Sequence, residues 1–278
     1  MMKNIKIKGL MATLAAATMF VSGAEAATST AAHPERNEYT SAGIFGKWDI
    51  ASIQRGLQVY QEVCAACHSM DLVAFRTLGD VGYNEDEIKA IAIEYEYETL
   101  DEDGEITFRP GLPSDYFPAP FANETAARAA NNGALPPDFS TMVKAREHLA
   151  FNPMSSTYGE DYIVALMTGY EDEAPEGFEL MAGLYYNHYF EGNQIAMAPP
   201  LFDDMVEYAD GTPATVKQMA YDVANFMAWA SDPTMQERKQ MGLKVMLFMF
   251  VFVILLYFTN KRVWARVKKG EDIDPSNV

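Results

Sequence analysis

Apolar positions fall into three patterns along the chain. Near the start, "MMKNIKIKG" leads into "LMATLAAATMFVSG" and then Ala24-Glu25-Ala26-Ala27, the basic, apolar and small-residue order of a secretory signal peptide cleaved near Ala26 or Ala27. Its core is Ala-rich and short for a span of ~20 residues. Near the other end, residues 241–259 read "MGLKVMLFMFVFVILLYFT" and carry one charge, Lys244. At 1.5 Å per residue such a helix reaches ~28 Å, about one hydrocarbon thickness. A single transmembrane helix is predicted over 241–260; a buried core helix is the alternative. Between the two runs the periodicity is that of amphipathic helices.

Two of those helices stand out. In "DIASIQRGLQVYQEVCAAC", residues 49–67, the apolar positions Ile53, Leu57, Tyr60, Val63 or Cys64, and Cys67 follow a helical period. Gly56 would let another helix cross closely. A partner is "TVKQMAYDVANFMAWAS", residues 215–231, whose apolar face runs through Val216, Met219, Ala220, Val223, Phe226, Met227 and Ala230. Thr212 or Thr215 can cap its start, and Pro233 follows its end. The patterning predicts a mainly α protein without repeats or low-complexity tracts. Its divisions are a leader over 1–26, an exported domain over 27–240, an anchor helix over 241–260 and a tail over 261–278.

Charge sharpens this division. The formal net charge of -18 over 278 residues is unevenly spread. Residues 27–240 hold 12 Lys and Arg against 35 Asp and Glu, whereas both ends are basic. Lys261, Arg262, Arg266, Lys268 and Lys269 follow the anchor, so the positive-inside rule puts the tail in the cytoplasm and the acidic domain outside. Arg238, Lys239 and Lys244, near the outer end of the anchor, either meet lipid headgroups or snorkel. No nucleic-acid partner is expected.

The candidate chemistry lies in "EVCAACHSM", residues 62–70, which contains both cysteines of the chain and sets His68 directly behind Cys67. A disulfide, a redox dithiol and part of a zinc site are alternative uses of Cys64 and Cys67. Zinc would need a fourth ligand, and the other histidines, His33, His148 and His188, form no ligand-spaced pair. A redox dithiol would lack its usual strand-then-helix setting. C-x-x-C-H is also the signature of covalent haem attachment. Positions three apart on a helix face one way, so both sulfurs can reach one porphyrin edge while the next imidazole turns to the iron. Export agrees with this reading.

His68 fills one axial position, and a six-coordinate iron needs a second ligand. Of seventeen methionines, ten remain once those in the leader and anchor are set aside. Met197 in "EGNQIAMAPPLF" stands out, because small neighbours let a thioether approach a flat cofactor while Pro199 and Pro200 stiffen the loop. Filling a core gap is the ordinary fate of a methionine.

"AARAANNGALPPDFSTMVKAR", "GEDYIVALMTGY", "GNQIAMAPPLF" and "DGTPATVKQMAYDVANFMAWASDP" together resemble the cytochrome c1 family, the haem subunit of the cytochrome bc1 complex, the ubiquinol-cytochrome c oxidoreductase. The resemblance runs from about Phe45 to Trp264. It implies Met197 as the sixth ligand and places Asn131, Pro137, Arg146 and Tyr162 against the haem. A guanidinium at Arg146 suits a propionate, although a surface salt bridge is the alternative. After Arg146 the chain reads "EHLAFNPMSSTYGEDY", longer than the short glycine turn of mitochondrial members.

The resemblance further implies a class I cytochrome c-like haem domain with long inserted loops and one covalently bound haem c. It implies an electron-transfer subunit, not an enzyme on its own, with cytochrome b and the Rieske iron-sulfur protein as partners in a dimeric complex. Electrons would arrive from the Rieske protein and leave to a cytochrome c, at the periplasmic face of a bacterial inner membrane. Two acidic runs, residues 94–105 and 171–179, would attract a basic cytochrome c, or else merely solvate loops. The competing functions are another membrane-anchored monohaem cytochrome donating to a terminal oxidase, and an exported thiol oxidoreductase or metal-binding protein.

Overall fold

A computed structural model describes residues 31–147 and 158–269. The leader, His148 and the end of the tail lie outside the described residues. The protein is mainly α, built on the crossing of two helices. Helix α1 spans Ile50–Val59 and starts at Asp49, whose carboxylate accepts from the Ser52 amide. Its Ile53, Gly56, Leu57 and Val59 are buried. The chain then widens into a π-helical turn, Tyr60–Cys64. The regular helix expected as far as Cys67 therefore stops early: Ala65–Cys67 form a turn in which the Cys64 carbonyl accepts from both Cys67 N (3.1 Å) and His68 N (3.0 Å).

Beyond this turn come a 3-10 segment, Phe75–Val81, and helix α2, Glu85–Ala92, started by an Asn84–Glu87 capping box. Short helices α3, Glu124–Ala130, and α4, Met142–Ala145, lead to α5, Gly159–Thr168. Helix α6 spans Val216–Ser231 and is capped by Thr215, whose hydroxyl accepts from Gln218 N at 3.2 Å.

Helix α6 is central. It packs on α1 along one side and on α5 along another, which is why eleven of its residues are buried, including Asp222 and Asn225. Gly56 sits at the α1–α6 crossing. A Cβ there would lie 2.1 Å from the Asp222 carbonyl oxygen, so only glycine lets the backbones approach this closely. The buried Asp222 and Asn225 find their partners at the crossing. Ser52 Oγ donates to Asp222 at 2.7 Å, Asn225 Nδ2 donates to Ser52 Oγ at 2.9 Å, and Arg55 bridges Asp222 (2.9 Å) and Asp210 (2.8 Å). Charge-assisted bonds of this kind offset the desolvation of a buried carboxylate.

Two small antiparallel sheets complete the fold. Strand β1, Glu96–Leu100, pairs with β2, Ile106–Pro110, placing Glu98 opposite Phe108. This hairpin falls on the first acidic run, where sequence patterning predicted no strand. Its turn is made by the Asp101 carboxylate, which accepts from Asp103 N and Glu105 N, and by Gly104 at φ 81°. The other sheet pairs β3, Tyr185–Tyr186, with β4, Gln194–Ile195.

The last helix, α7, spans Met235–Lys268. It starts ahead of the apolar run and continues past it, so the border between domain and anchor falls inside one continuous helix. It is long and apolar enough to cross a membrane, and none of its apolar window is buried inside the protein. A core helix would be covered by its neighbours; this one is not.

Candidate functional site

The Cys-x-x-Cys-His turn inherits its position from the α1–α6 crossing. Tyr60, buried against Phe117 and Phe226, donates its hydroxyl to the His68 carbonyl at 3.1 Å. This pins the backbone of the loop to the core. Cys64 is half-buried and Cys67 exposed, and both are free thiols. Burial, with Cys67 beside it, pushes the Cys64 thiol up to about 12, so it stays protonated at neutral pH.

The His68 imidazole is buried and stacks on Phe139 with ring centroids 4.2 Å apart. Its Nδ1 lies 2.8 Å from the Pro137 carbonyl oxygen. A carbonyl can only accept, so Nδ1 carries the proton and Nε2 keeps the ring's free lone pair. Burial lowers the imidazole's affinity for a second proton, against the opposing pull of the Pro137 carbonyl and Asp138. Neutral imidazole is the form that binds a metal.

Asp138 holds this segment in register. Its carboxylate accepts from Ser69 Oγ (2.8 Å), Asp71 N (2.9 Å) and Ser140 N (2.8 Å), while Ser140 Oγ accepts from Leu72 N at 3.1 Å. Burial alone would raise its pKa, but the bonds from Ser140, Asp71 and Ser69 together bring it below the usual carboxylate value. The loop after His68 and the "PPDFS" segment are thus one stitched unit.

Met197 lies in the irregular chain after β4 and is half-buried. Its loop hangs from α5 through Asn187, a fully buried side chain that donates to the Leu166 carbonyl at 2.8 Å and accepts from Tyr189 N at 3.0 Å. Asn193 closes the loop at φ 56°, a left-handed conformation that asparagine tolerates. Tyr170, two residues past α5, donates its hydroxyl to the Met197 carbonyl at 3.1 Å. Burial, with Tyr162 nearby, raises the Tyr170 pKa, keeping that hydroxyl a donor.

The remaining predicted positions separate into two groups. Pro137 meets His68 through its carbonyl. Arg146, exposed at the end of α4, sits over the Tyr162 ring at 5.6 Å, so these two are brought together across the segment 148–157. Asn131, half-buried, ends α3 and donates its side-chain amide to the Ala127 carbonyl of its own helix at 2.7 Å. Sequence reasoning missed Phe139, Asp138, Tyr170 and Asn187. The first two lie within the quoted "LPPDFS" and Tyr170 ends the quoted "VALMTGY", but nothing local says what they touch.

A histidine has one nitrogen committed to a carbonyl and two free thiols at its side, a thioether sits on a separately braced loop, and the mainly helical domain that carries them bears one bare apolar helix. The model of the Cytochrome C1 family matches residues 39–267. The chain belongs to the cytochrome c1 family. It is 50% identical over 237 residues to the Saccharomyces cerevisiae protein named cytochrome c1, heme protein, mitochondrial, covering 85% of this chain and 74% of that one. The Candida albicans cytochrome b-c1 complex catalytic subunit, mitochondrial, is 48% identical over 237 residues, 85% of this chain and 79% of that one. Cytochrome b/c1 of Bradyrhizobium diazoefficiens is 45% identical over 244 residues, 84% of this chain but 36% of that longer protein, so the chain spans about a third of it.

Proposed function

We propose that this chain is the haem-bearing electron-transfer subunit of a membrane ubiquinol-cytochrome c oxidoreductase. The observation that carries the reading is the 2.8 Å contact between His68 Nδ1 and the Pro137 carbonyl, which leaves Nε2 for iron beside two unpaired thiols. Cys64 and Cys67 would hold the porphyrin by thioether bonds. His68 and Met197 would hold its iron, with Asn131, Pro137, Arg146 and Tyr162 lining the haem. The bound haem c supplies a one-electron ferric/ferrous couple, whose potential methionine ligation raises relative to two nitrogen ligands. The chain makes and breaks no substrate bond and is not an enzyme by itself.

In this reading the chain takes electrons from a Rieske iron-sulfur protein and passes them to a cytochrome c, beside cytochrome b in a dimeric complex. The relatives' names, cytochrome c1 and cytochrome b-c1 complex catalytic subunit, support the assignment. Residues 27–240 would stand outside a bacterial inner membrane, the helix over 241–260 would cross it, and the basic residues 261–269 would face the cytoplasm. The exposed hairpin with seven acids in residues 94–105 would attract a basic cytochrome c. Reduction of such a partner is then expected to slow steeply with added salt; a flat dependence would remove the steering role.

The deciding experiment is acid-acetone extraction of the purified protein. A Soret band that stays with the polypeptide supports covalent haem. A colourless chain, or pigment released to the solvent, would overturn the proposal in favour of a thiol or metal-binding role for Cys64 and Cys67.

A further inference from the structure

The segment ahead of α1 carries the two barest large apolar side chains among the described residues, Ile44 at 71% and Phe45 at 78% exposed. Nothing in the apolar run of α7 matches them; its barest residue, Met246, reaches 70%. Residues 39–46, "YTSAGIFG", hold no charge, in a domain that is otherwise strongly acidic. Two adjacent bulky apolar side chains held in water forgo the gain of burial, and a bare apolar pair of this kind marks a contact surface.

The arm that presents the pair is braced, which keeps it from folding back onto the core. Asn37 N donates to the Asp161 carboxylate at 2.8 Å. The Tyr39 ring stacks on Tyr221 with centroids 5.3 Å apart, and the Tyr221 hydroxyl donates to the Glu38 carbonyl at 2.7 Å. The loop itself is closed by a 2.8 Å bond from Lys47 N to the Thr40 carbonyl. Gly46 lets it fold so tightly, because a Cβ there would lie 2.0 Å from the Ser41 carbonyl oxygen.

The direction of the arm says what covers its tip. Tyr39 lies on Tyr221, in the second turn of α6, whereas Ser41, two residues on, accepts from Lys239 Nζ at 2.6 Å. The chain thus heads from α6 to the start of the anchor. The apolar run of α7 begins at Met241, two residues or ~3 Å of rise past Lys239. From Ser41 to Phe45 the chain can reach up to ~14 Å, and the interfacial layer of a bilayer is about 5–8 Å deep. The loop is long enough to cross that layer. We infer that Ile44 and Phe45 insert into the bilayer surface at which α7 enters, giving the domain a second membrane contact. Lys47, exposed at the base of the loop, stays at headgroup level by snorkelling. The inference rests on the reading of α7 as a membrane span. A single helix leaves the tilt of the domain free, whereas two contacts fix it. Because the chain runs from the tip through Trp48 directly into α1 and on to Cys64, the second contact also sets the height of the proposed haem site.

The test places the photoreactive amino acid benzoylphenylalanine at position 45 of the full, haem-loaded chain in its own membranes and identifies the captured molecule by mass spectrometry after illumination. Phospholipid is expected, at a yield within about twofold of that from position 251, inside the apolar run, and about tenfold above that from position 100, where Leu100 is 66% exposed on the acidic hairpin. Capture of a second copy of the chain, of another membrane protein or of nothing at position 45 would each overturn the inference. Phe45→Asp removes no buried side chain, so the melting point should hold while lipid capture from position 44 falls about tenfold. Undiminished capture there would mean that lipid reaches the tip without the tip entering the bilayer, and the inference would fail. Position 251 tests the span separately. No lipid at 251 sinks the membrane reading, whereas lipid at 251 and none at 45 sinks only the inserted tip.

Discussion

The two loops that carry His68 and Met197 are braced to very different degrees. The His68 loop is bound at its carbonyl by Tyr60, at its ring by Pro137 and Phe139, and along its exit by the three bonds of Asp138 and one from Ser140. The Met197 loop lies on a sheet of two-residue strands and two asparagines, and Met197 itself is held through its carbonyl by Tyr170. One donor is set into the core, whereas the other is hung beside it. The difference teaches that the imidazole side belongs to the fold, so changes there should cost stability, while changes on the thioether side should alter ligation and leave the fold standing.

The largest effect expected on that basis is from Met197→Leu. In the proposed ligand set the iron loses its thioether, and the midpoint potential should fall by on the order of 0.2 V, a fraction of the ~0.8 V that axial ligands command. Because residue 197 is half-buried and leucine has a similar volume, thermal stability should change by less than about 1.5 kcal/mol. A redox-titrated spectrum beside a melting curve separates the two readouts. An unchanged potential would refute Met197 as a ligand.

Asp138→Asn should do the reverse. The amide keeps one acceptor and turns an NH2 toward groups that themselves donate, so a loss of about 2 kcal/mol in stability is expected, with little movement of the potential. The sign of its pH dependence is fixed by the depressed pKa of Asp138. The stabilisation is fully present above the unfolded value of ~3.9 and disappears as pH falls through the lower folded value. Chemical denaturation at pH 7 and at pH 3 should therefore show a smaller gap between wild type and variant at the acid end. A gap that widened on acidification would contradict the hydrogen-bonded carboxylate.

Much of this architecture can be read from the sequence because its signals are local. Cys64, Cys67 and His68 announce themselves by spacing, α7 by its composition, and the α1–α6 crossing by Gly56 set between two apolar periods. What could not be read is non-local or half-exposed. Asp138 reaches back 69 residues to Ser69, and Tyr170 reaches forward 27 to Met197; no periodicity marks either partner. The acidic hairpin was missed because alternate residues of both strands are only partly covered and neither face is fully buried. Its "EYETL" therefore carries little of the apolar alternation that normally gives a strand away. The π-helical turn at Tyr60–Cys64 escaped for another reason, since a 3.6-residue period cannot distinguish one widened turn from a regular one.

The smallest effect, and the finest test of the contrast between the loops, comes from Tyr170→Phe. The ring and its packing remain and only the bond to the Met197 carbonyl is lost, at a cost of about 1 kcal/mol. If that bond is what steadies the thioether, the potential should shift by a few tens of millivolts, since about 1 kcal/mol felt unequally by the two oxidation states corresponds to ~40 mV for one electron. The shift should be absent when the same substitution is made in the Met197→Leu background, where no thioether is left to steady. A Tyr170→Phe shift that survived in that background would mean that Tyr170 acts on the site through the packing of α5, and the two loops would then share one support.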